Sequence, residues 1–367
     1  MIQWRPLEER RTSPHRLGAQ DEALSRLKLE FESPWGHWPK ALLLQGFVVE
    51  EHLRTQSSNL SRGYLIGLGA TISLSFTGIL ISHLSRAYQL PSLVLASWRD
   101  GIVVLGLAAV FAMFSPRRFR LQQGLGGFFV LYGLSLALFN TMWTFSVEYN
   151  GAAVATVLAF SSPAMTAILA HFLLGEDISG IKLASIALSL MGTVLVSGAA
   201  DPAAWTVNAA GITFGLLTGF FFACYNMVGK TSANRSIDPW TTMLYGFSSA
   251  VIFLLAFTVA SNLIGGRGPL TDFLRLGNSM NGWLLLVLLS LGPTIGGYGL
   301  YLVSLGSLPA TVANLIGALE PVFTAAWAYL LFSEQMSPVQ LLGSIILLAS
   351  VVLLRAGDRR KAALTSA

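Results

Sequence analysis

Three charged residues lie within long apolar segments of the sequence. Arg99 and Asp100 are neighbours in one segment, and Glu320 lies in the middle of another. A charged side chain at the centre of a membrane helix costs about 2.5–3.5 kcal/mol, so such residues are functional candidates by default. Glu320 is suited to binding a proton or an amine, and Arg99 is suited to binding a carboxylate.

Each charge also has a structural interpretation. Arg99 and Glu320 could form a permanent ion pair between two helices, and Asp100 could simply neutralise Arg99. Small or polar residues share one helix face with Glu320, namely Ala313, Gly317, Thr324 and Ala328. Such a face suits a cavity wall as well as close helix packing.

Amide and aromatic side chains of the apolar segments could add binding contacts: Asn140, Trp143, Tyr225, Tyr298 and Tyr301. Most aromatic residues within membranes are packing or interface anchors, so both interpretations stay open. Pro163, Pro293 and Pro321 are candidate hinges, because proline removes a backbone donor from a helix. The glycines around Pro293 could equally permit close packing.

The elements that hold these residues follow from composition. Hydrophobic residues make up 53% of the 367-residue chain and charged residues only 11%, less than half of the roughly 25% typical of soluble domains. A bilayer core needs roughly 20 apolar residues per helix. Ten segments qualify: 63–83, 91–114, 124–147, 151–174, 180–199, 211–229, 240–264, 282–305, 309–331 and 338–355. We therefore predict an all-α integral membrane protein with ten transmembrane helices.

Lys and Arg in the loops predict the orientation of these helices. Nearly all of them fall on one side, so both termini are predicted to be cytoplasmic. The same placement explains the net charge of +5 without a nucleic-acid partner.

The sequence also contains an internal repeat. Aligned pairs include Pro91 with Pro239, Pro163 with Pro321, Glu176 with Glu334, and Trp143 with Tyr301, which could face each other across the symmetry axis. Five helices per half is an odd number, so the second half enters the membrane from the opposite side. Such inverted repeats are typical of transporters with a binding site at the midplane. The positions equivalent to Arg99, Asp100 and Glu320 are Phe247, Ser248 and Ser162, so the fold itself tolerates neutral residues there.

The predicted organisation has five parts. They are a mobile cytosolic tail (1–62), a first five-helix repeat (63–199), a linker (200–210), a second five-helix repeat (211–355) and a cytosolic C-terminal tail (356–367).

Ordered motifs in both halves resemble the EamA family of the drug/metabolite transporter superfamily. They are Trp98-Arg99, Pro163 followed by Gly175-Glu176, and Glu320-Pro321 followed by Glu334. Ser333 stands before Glu334 where the family usually has glycine, a mild departure in a turn. The resemblance implies a secondary transporter, often an exporter of amino acids or other small metabolites, with helices 1–4 and 6–9 around a central cavity.

We therefore predict alternating-access transport of a small-molecule substrate, with export and proton coupling as the working hypothesis, in a prokaryotic plasma membrane. A nucleotide-sugar or sugar-phosphate carrier of the same fold and a non-transport scaffold are the alternatives. No nucleophile, metal-ligand spacing or nucleotide-binding loop is present, so we predict neither an enzyme nor a cofactor nor a metal. Monomer and homodimer both stay open.

Overall fold

The computed structural model describes residues 40–119, 124–201, 208–266, 268, 270–332 and 336–366. The chain divides into two units, residues 1–52 and 53–367, and apart from the start of the first helix the description below concerns the second. The predicted mobile tail falls partly on residues 1–39, which lie outside the described residues. The rest of it, residues 40–62, belongs to the first helix.

Ten helices form the described part of the chain. They are α1 Lys40–Tyr88, α2 Ser92–Phe114, α3 Gly126–Gly151, α4 Ala153–Leu174, α5 Gly180–Val196, α6 Ala209–Asn234, α7 Pro239–Ile264, α8 Met280–Ser307, α9 Ala310–Leu331 and α10 Pro338–Ser366. Short 3-10 turns lie at Pro116–Phe119 and Thr271–Leu274.

Within these described residues, nine helices are long and apolar enough to cross a membrane. The remaining one, α5, has 17 residues and at 1.5 Å per residue reaches about 26 Å, close to the thickness of a bilayer core. The prediction of an all-α, ten-helix membrane protein is confirmed. The orientation of the termini stays a prediction.

Local sequence explains where the helices begin and end. Asp238 caps α7 by accepting the backbone N–H of Thr241 at 2.9 Å, and Pro239 occupies the first turn, where its missing donor is harmless. Gly175 ends α4 with a left-handed φ of 68°, a conformation that glycine adopts readily.

The contacts between helices form two groups, one among α2, α3, α4, α6 and α7 and the other between α5 and α10. Helix α3 packs on α6 and α7, α2 packs on α7, and α4 packs on α6. Helices α5 and α10 pack mainly on each other, and the carbonyl of Gly343 lies so close to Gly192 that a side chain there would clash. This close approach uses small residues in the manner of membrane helix pairs.

Helices α4 and α9 are interrupted at equivalent positions. Phe160 and Ser161 separate the halves of α4, and Ala318 and Leu319 separate the halves of α9. In each break a backbone N–H bonds three residues back, from Ser161 to Leu158 at 3.1 Å and from Leu319 to Ile316 at 3.0 Å. The breaks directly precede the first turns that contain Pro163 and Pro321, because proline cannot continue the preceding hydrogen-bond ladder.

Candidate functional site

The buried charges of α2 form an ion pair within their own helix. The Arg99 Nε donates to Asp100 Oδ1 at 2.8 Å, and the two residues are 4% and 0% exposed. The second carboxylate oxygen of Asp100 has no hydrogen-bond partner among the described residues. The pair therefore neutralises the guanidinium but leaves one buried acceptor free.

Asn140 of α3 provides a further contact to the guanidinium. Its side-chain oxygen lies 3.5 Å from Arg99 Nη2, at the long end of hydrogen bonding. Its side-chain nitrogen donates to the Leu136 carbonyl at 3.1 Å, which fixes the amide orientation. Asn140 is thus held so that its oxygen points toward Arg99.

Two tyrosines extend this cluster to α6 and α8. Tyr225 and Tyr298 both lie near Arg99, and their rings meet edge to face with centroids 6.1 Å apart. Tyr298 also lies near Glu320 of α9. Five helices therefore bring Arg99, Asp100, Asn140, Tyr225, Tyr298 and Glu320 into one region. We call this group the central cluster.

Glu320 is the first residue of the second half of α9 and is half-buried. Within the described residues its carboxylate makes no hydrogen bond and no ion pair. The alternative of a permanent Arg99–Glu320 ion pair is not realised, because Arg99 pairs with Asp100 instead.

The small and polar face of α9 packs against α1 and α8. The Thr324 hydroxyl donates to the Ser75 carbonyl at 3.1 Å, and the Trp327 indole donates to the Ser75 hydroxyl at 3.0 Å. Gly317 lies opposite the ring of Tyr301, with room for a Cβ at 3.8 Å. This face is therefore a packing surface on both sides of the position of Glu320.

Tyr301 and Trp143 are aligned partners in the repeat, and whether they face each other across the axis stays a prediction. The Tyr301 hydroxyl donates to the side-chain oxygen of Asn226 at 2.7 Å, and both residues are buried. Trp143 is half-buried and makes no ring contact with Tyr301 in the described part of the chain. Asn226 is a residue that our sequence analysis missed, although a lone amide in an apolar helix was a usable signal.

Two further residues absent from our candidate list act at the α8–α9 turn. The Lys230 ammonium donates to the carbonyls of Leu305 and Leu308, both at 2.8 Å. The Glu176 carboxylate accepts from the Ala310 backbone at 2.6 Å and from the Thr311 hydroxyl at 2.9 Å. We call Lys230 and Glu176 the turn clamp. Glu334, the aligned partner of Glu176, lies outside the described residues.

The third candidate hinge lies in a π-helical segment of α8, Ser290–Thr294, which contains Pro293. The neighbouring glycines contact other helices: Gly297 leaves no room for a Cβ beside Leu74, and Gly299 leaves none beside Trp240. Close packing therefore accounts for these two glycines, and the hinge role of Pro293 stays a prediction.

Among the described residues, no group of three or more His, Cys, Asp or Glu side chains could hold a metal ion. The central cluster instead offers one paired guanidinium, two carboxylates, one amide and two phenols. Such a set can bind a small solute through charge and hydrogen bonds.

A bundle of apolar helices that buries charged side chains between its members is typical of multi-pass membrane proteins, in which such charges mark functional sites. The sequence profile of the EamA-like transporter family matches residues 61–198 and again residues 209–356. The chain therefore belongs to the EamA-like transporter family.

Similar proteins agree with this assignment. The chain is 28% identical over 267 residues to a probable amino-acid metabolite efflux pump of Escherichia coli (strain K12), covering 72% of this chain and 85% of that protein. It is 27% identical over 242 residues to an uncharacterized inner membrane transporter of Salmonella typhimurium, covering 62% and 75%. A crystal structure with a TM-score of 0.65 and 17% identity covers 82% of this chain and 98% of that one, a similarity of fold alone.

Proposed function

We propose that this protein exports amino acids or related small metabolites across the plasma (inner) membrane by alternating access. The names of the Escherichia coli and Salmonella typhimurium relatives support the substrate class and the membrane. The family supports the general activity of a transporter. The direction of transport, the identity of the substrate and the coupling to protons are parts of the proposal.

One observation carries the proposal for the binding site. The buried Arg99–Asp100 pair and the unpartnered carboxylate of Glu320 both lie near the phenol of Tyr298, so both signs of charge are present between the helices. An amino acid carries both an amine and a carboxylate and can use both. Asn140, Tyr225 and Tyr298 would supply the remaining polar and aromatic contacts.

Coupling would depend on competition at Glu320. A carboxylate without a hydrogen-bond or ion-pair partner can bind either a proton or a substrate amine, but not both at once. Exchange of a proton entering for an amine leaving would then drive export along a proton gradient. Pro163 and Pro321 would allow the halves of α4 and α9 to reorient between the two states.

The charge content of the cluster gives no support to a nucleotide-sugar carrier. A diphosphate requires several cationic groups. In the described part of the central cluster the cationic group is Arg99, and Asp100 already neutralises it.

Flux into or out of proteoliposomes tests the proposed function. The full-length protein would be assayed with a panel of amino acids and related metabolites, with and without a pH gradient. We expect gradient-stimulated flux that Glu320→Gln abolishes and that Glu148→Gln leaves unchanged, because Glu148 is exposed and outside the cluster. Full gradient-driven flux by the Glu320→Gln variant would disprove the coupling role.

A further inference from the structure

We infer that the central cluster selects its substrate by the amine and not by the carboxylate. The substrate class would be small organic ammonium compounds, of which amino acids are a subset. This inference rests on the proposed function and narrows it.

Arg99 offers little net charge to a substrate carboxylate in this structure. Its Nε is bonded to Asp100 at 2.8 Å, and the pair is almost completely buried. The Nη groups keep further donors, but the positive charge that would attract a carboxylate is already neutralised by Asp100. A buried carboxylate brought beside this pair would therefore lack a countercharge of its own, which is strongly unfavourable.

Glu320 is in the opposite situation. Its carboxylate has no hydrogen-bond or ion-pair partner within the described residues, and the residue is half-buried. Because Arg99 and Asp100 cancel each other, the charge that the cluster offers to a ligand is the single negative charge of Glu320. A cationic amine complements that charge, whereas a carboxylate would be repelled by it.

Aromatic rings near this carboxylate support the same conclusion. The phenol of Tyr298 lies near Glu320, and its ring packs edge to face on Tyr225 with centroids 6.1 Å apart. Aromatic faces attract ammonium groups. A carboxylate beside such rings favours an amine that carries an apolar substituent.

Binding of two amino acids, each in three forms that differ in their charged groups, to the purified protein tests this inference. The probes are leucine and phenylalanine as free amino acids, as amides without the carboxylate charge, and as N-acetyl derivatives without the amine charge. Dissociation constants would be measured by isothermal titration calorimetry. We expect the amides to bind within about threefold of the amino acids and the N-acetyl forms to bind at least about tenfold more weakly, the effect of losing one charged hydrogen bond.

Two variants and one control identify the residues responsible. Glu320→Gln should remove the preference for the amides over the N-acetyl forms, and Glu148→Gln should keep it. Asp100→Asn should strengthen binding of the N-acetyl forms, since it frees Arg99. If this variant does not fold, the wild-type series decides alone.

Each outcome has a distinct meaning. N-acetyl forms that bind as well as the amino acids, with amides that do not bind, would show that Arg99 selects the carboxylate and would overturn the inference while sparing the proposed function. Absence of binding by every probe, together with absence of flux for the whole panel, would overturn both.

Discussion

The carboxylate of Glu176 caps the first turn of α9, with 2.6 Å between Oε1 and the backbone nitrogen of Ala310. Glu176 belongs to the turn between α4 and α5, so this contact joins the two repeats. Lys230 of α6 binds the last carbonyls of α8 on the other side of the same turn. Each charge has the sign that the adjoining helix end attracts, an anion at the start of α9 and a cation at the end of α8.

The turn clamp should hold this end of the bundle closed. Glu176→Gln keeps an acceptor oxygen but removes the charge, so we expect unfolding stability to fall by about 1 kcal/mol. We also expect a cysteine introduced at Ser304, a buried position of α8, to become more accessible to thiol reagents in a Cys224→Ser background. Thermal unfolding and labelling rates measure the two effects. Labelling that is equal in the Glu176→Gln and Glu148→Gln variants would refute the gating role.

The proline breaks in α4 and α9 should act together. Replacing Pro163 and Pro321 with alanine lets the backbone ladder continue across the interruptions, so we expect slower transport and altered cysteine accessibility. Pro338→Ala is the matched control, because this proline lies at the start of α10, where it is compatible with the helix. Unchanged transport and accessibility in the double variant would show that the breaks are not hinges.

The Arg99–Asp100 pair should behave as a unit in stability measurements. Arg99→Gln leaves a buried carboxylate uncompensated, and we expect it to destabilise the protein by about 3–5 kcal/mol. Adding Asp100→Asn should recover most of that loss, since the aligned positions Phe247 and Ser248 are neutral. Thermal unfolding of the single and double variants checks this. A double variant as unstable as Arg99→Gln would mean that the pairing is not the cause.

The α7–α8 loop should be held in place by Trp98. The indole donates to the Phe273 carbonyl at 3.1 Å and packs edge to face on Trp283 with centroids 5.0 Å apart. Trp98→Phe removes the hydrogen bond, worth about 0.5–1.5 kcal/mol, and should increase protease cleavage in the loop. Trp283→Phe is the comparison, because its indole bonds to Gly277 within the loop. Equal cleavage in both variants would contradict a special role for Trp98.

Hydropathy was sufficient to predict the ten helices, because a bilayer imposes a length and an apolar composition on every crossing. The sequence analysis named all six residues of the central cluster individually. It left open whether Arg99 would pair with Asp100 or with Glu320, because consecutive helix residues point about 100° apart and the outcome depends on side-chain rotamers.

The turn clamp was missed for a different reason. Lys230 was interpreted only as a loop charge that reports orientation, and Glu176 only as a motif residue. A side chain that caps a helix distant in sequence can be recognised only when the structure brings that helix end next to it. Glu176 and Ala310 are separated by 134 positions in the sequence, and neither the charge pattern nor the helix periodicity indicates their contact.

The two breaks are nearly identical in backbone, but the residues that follow them are not. Ser162 after the break in α4 bonds to Asn314, whereas Glu320 after the break in α9 keeps a free carboxylate. The Arg99–Asp100 pair belongs to the first half alone, and Phe247 in the second half packs on Tyr298. At the positions of the central cluster, a protein built from two copies of the first half would therefore have two neutralised pairs and no free carboxylate. A protein built from two copies of the second half would have two free carboxylates and no guanidinium there. The two halves therefore share a backbone plan and differ in the charged residues that they place in the central cluster.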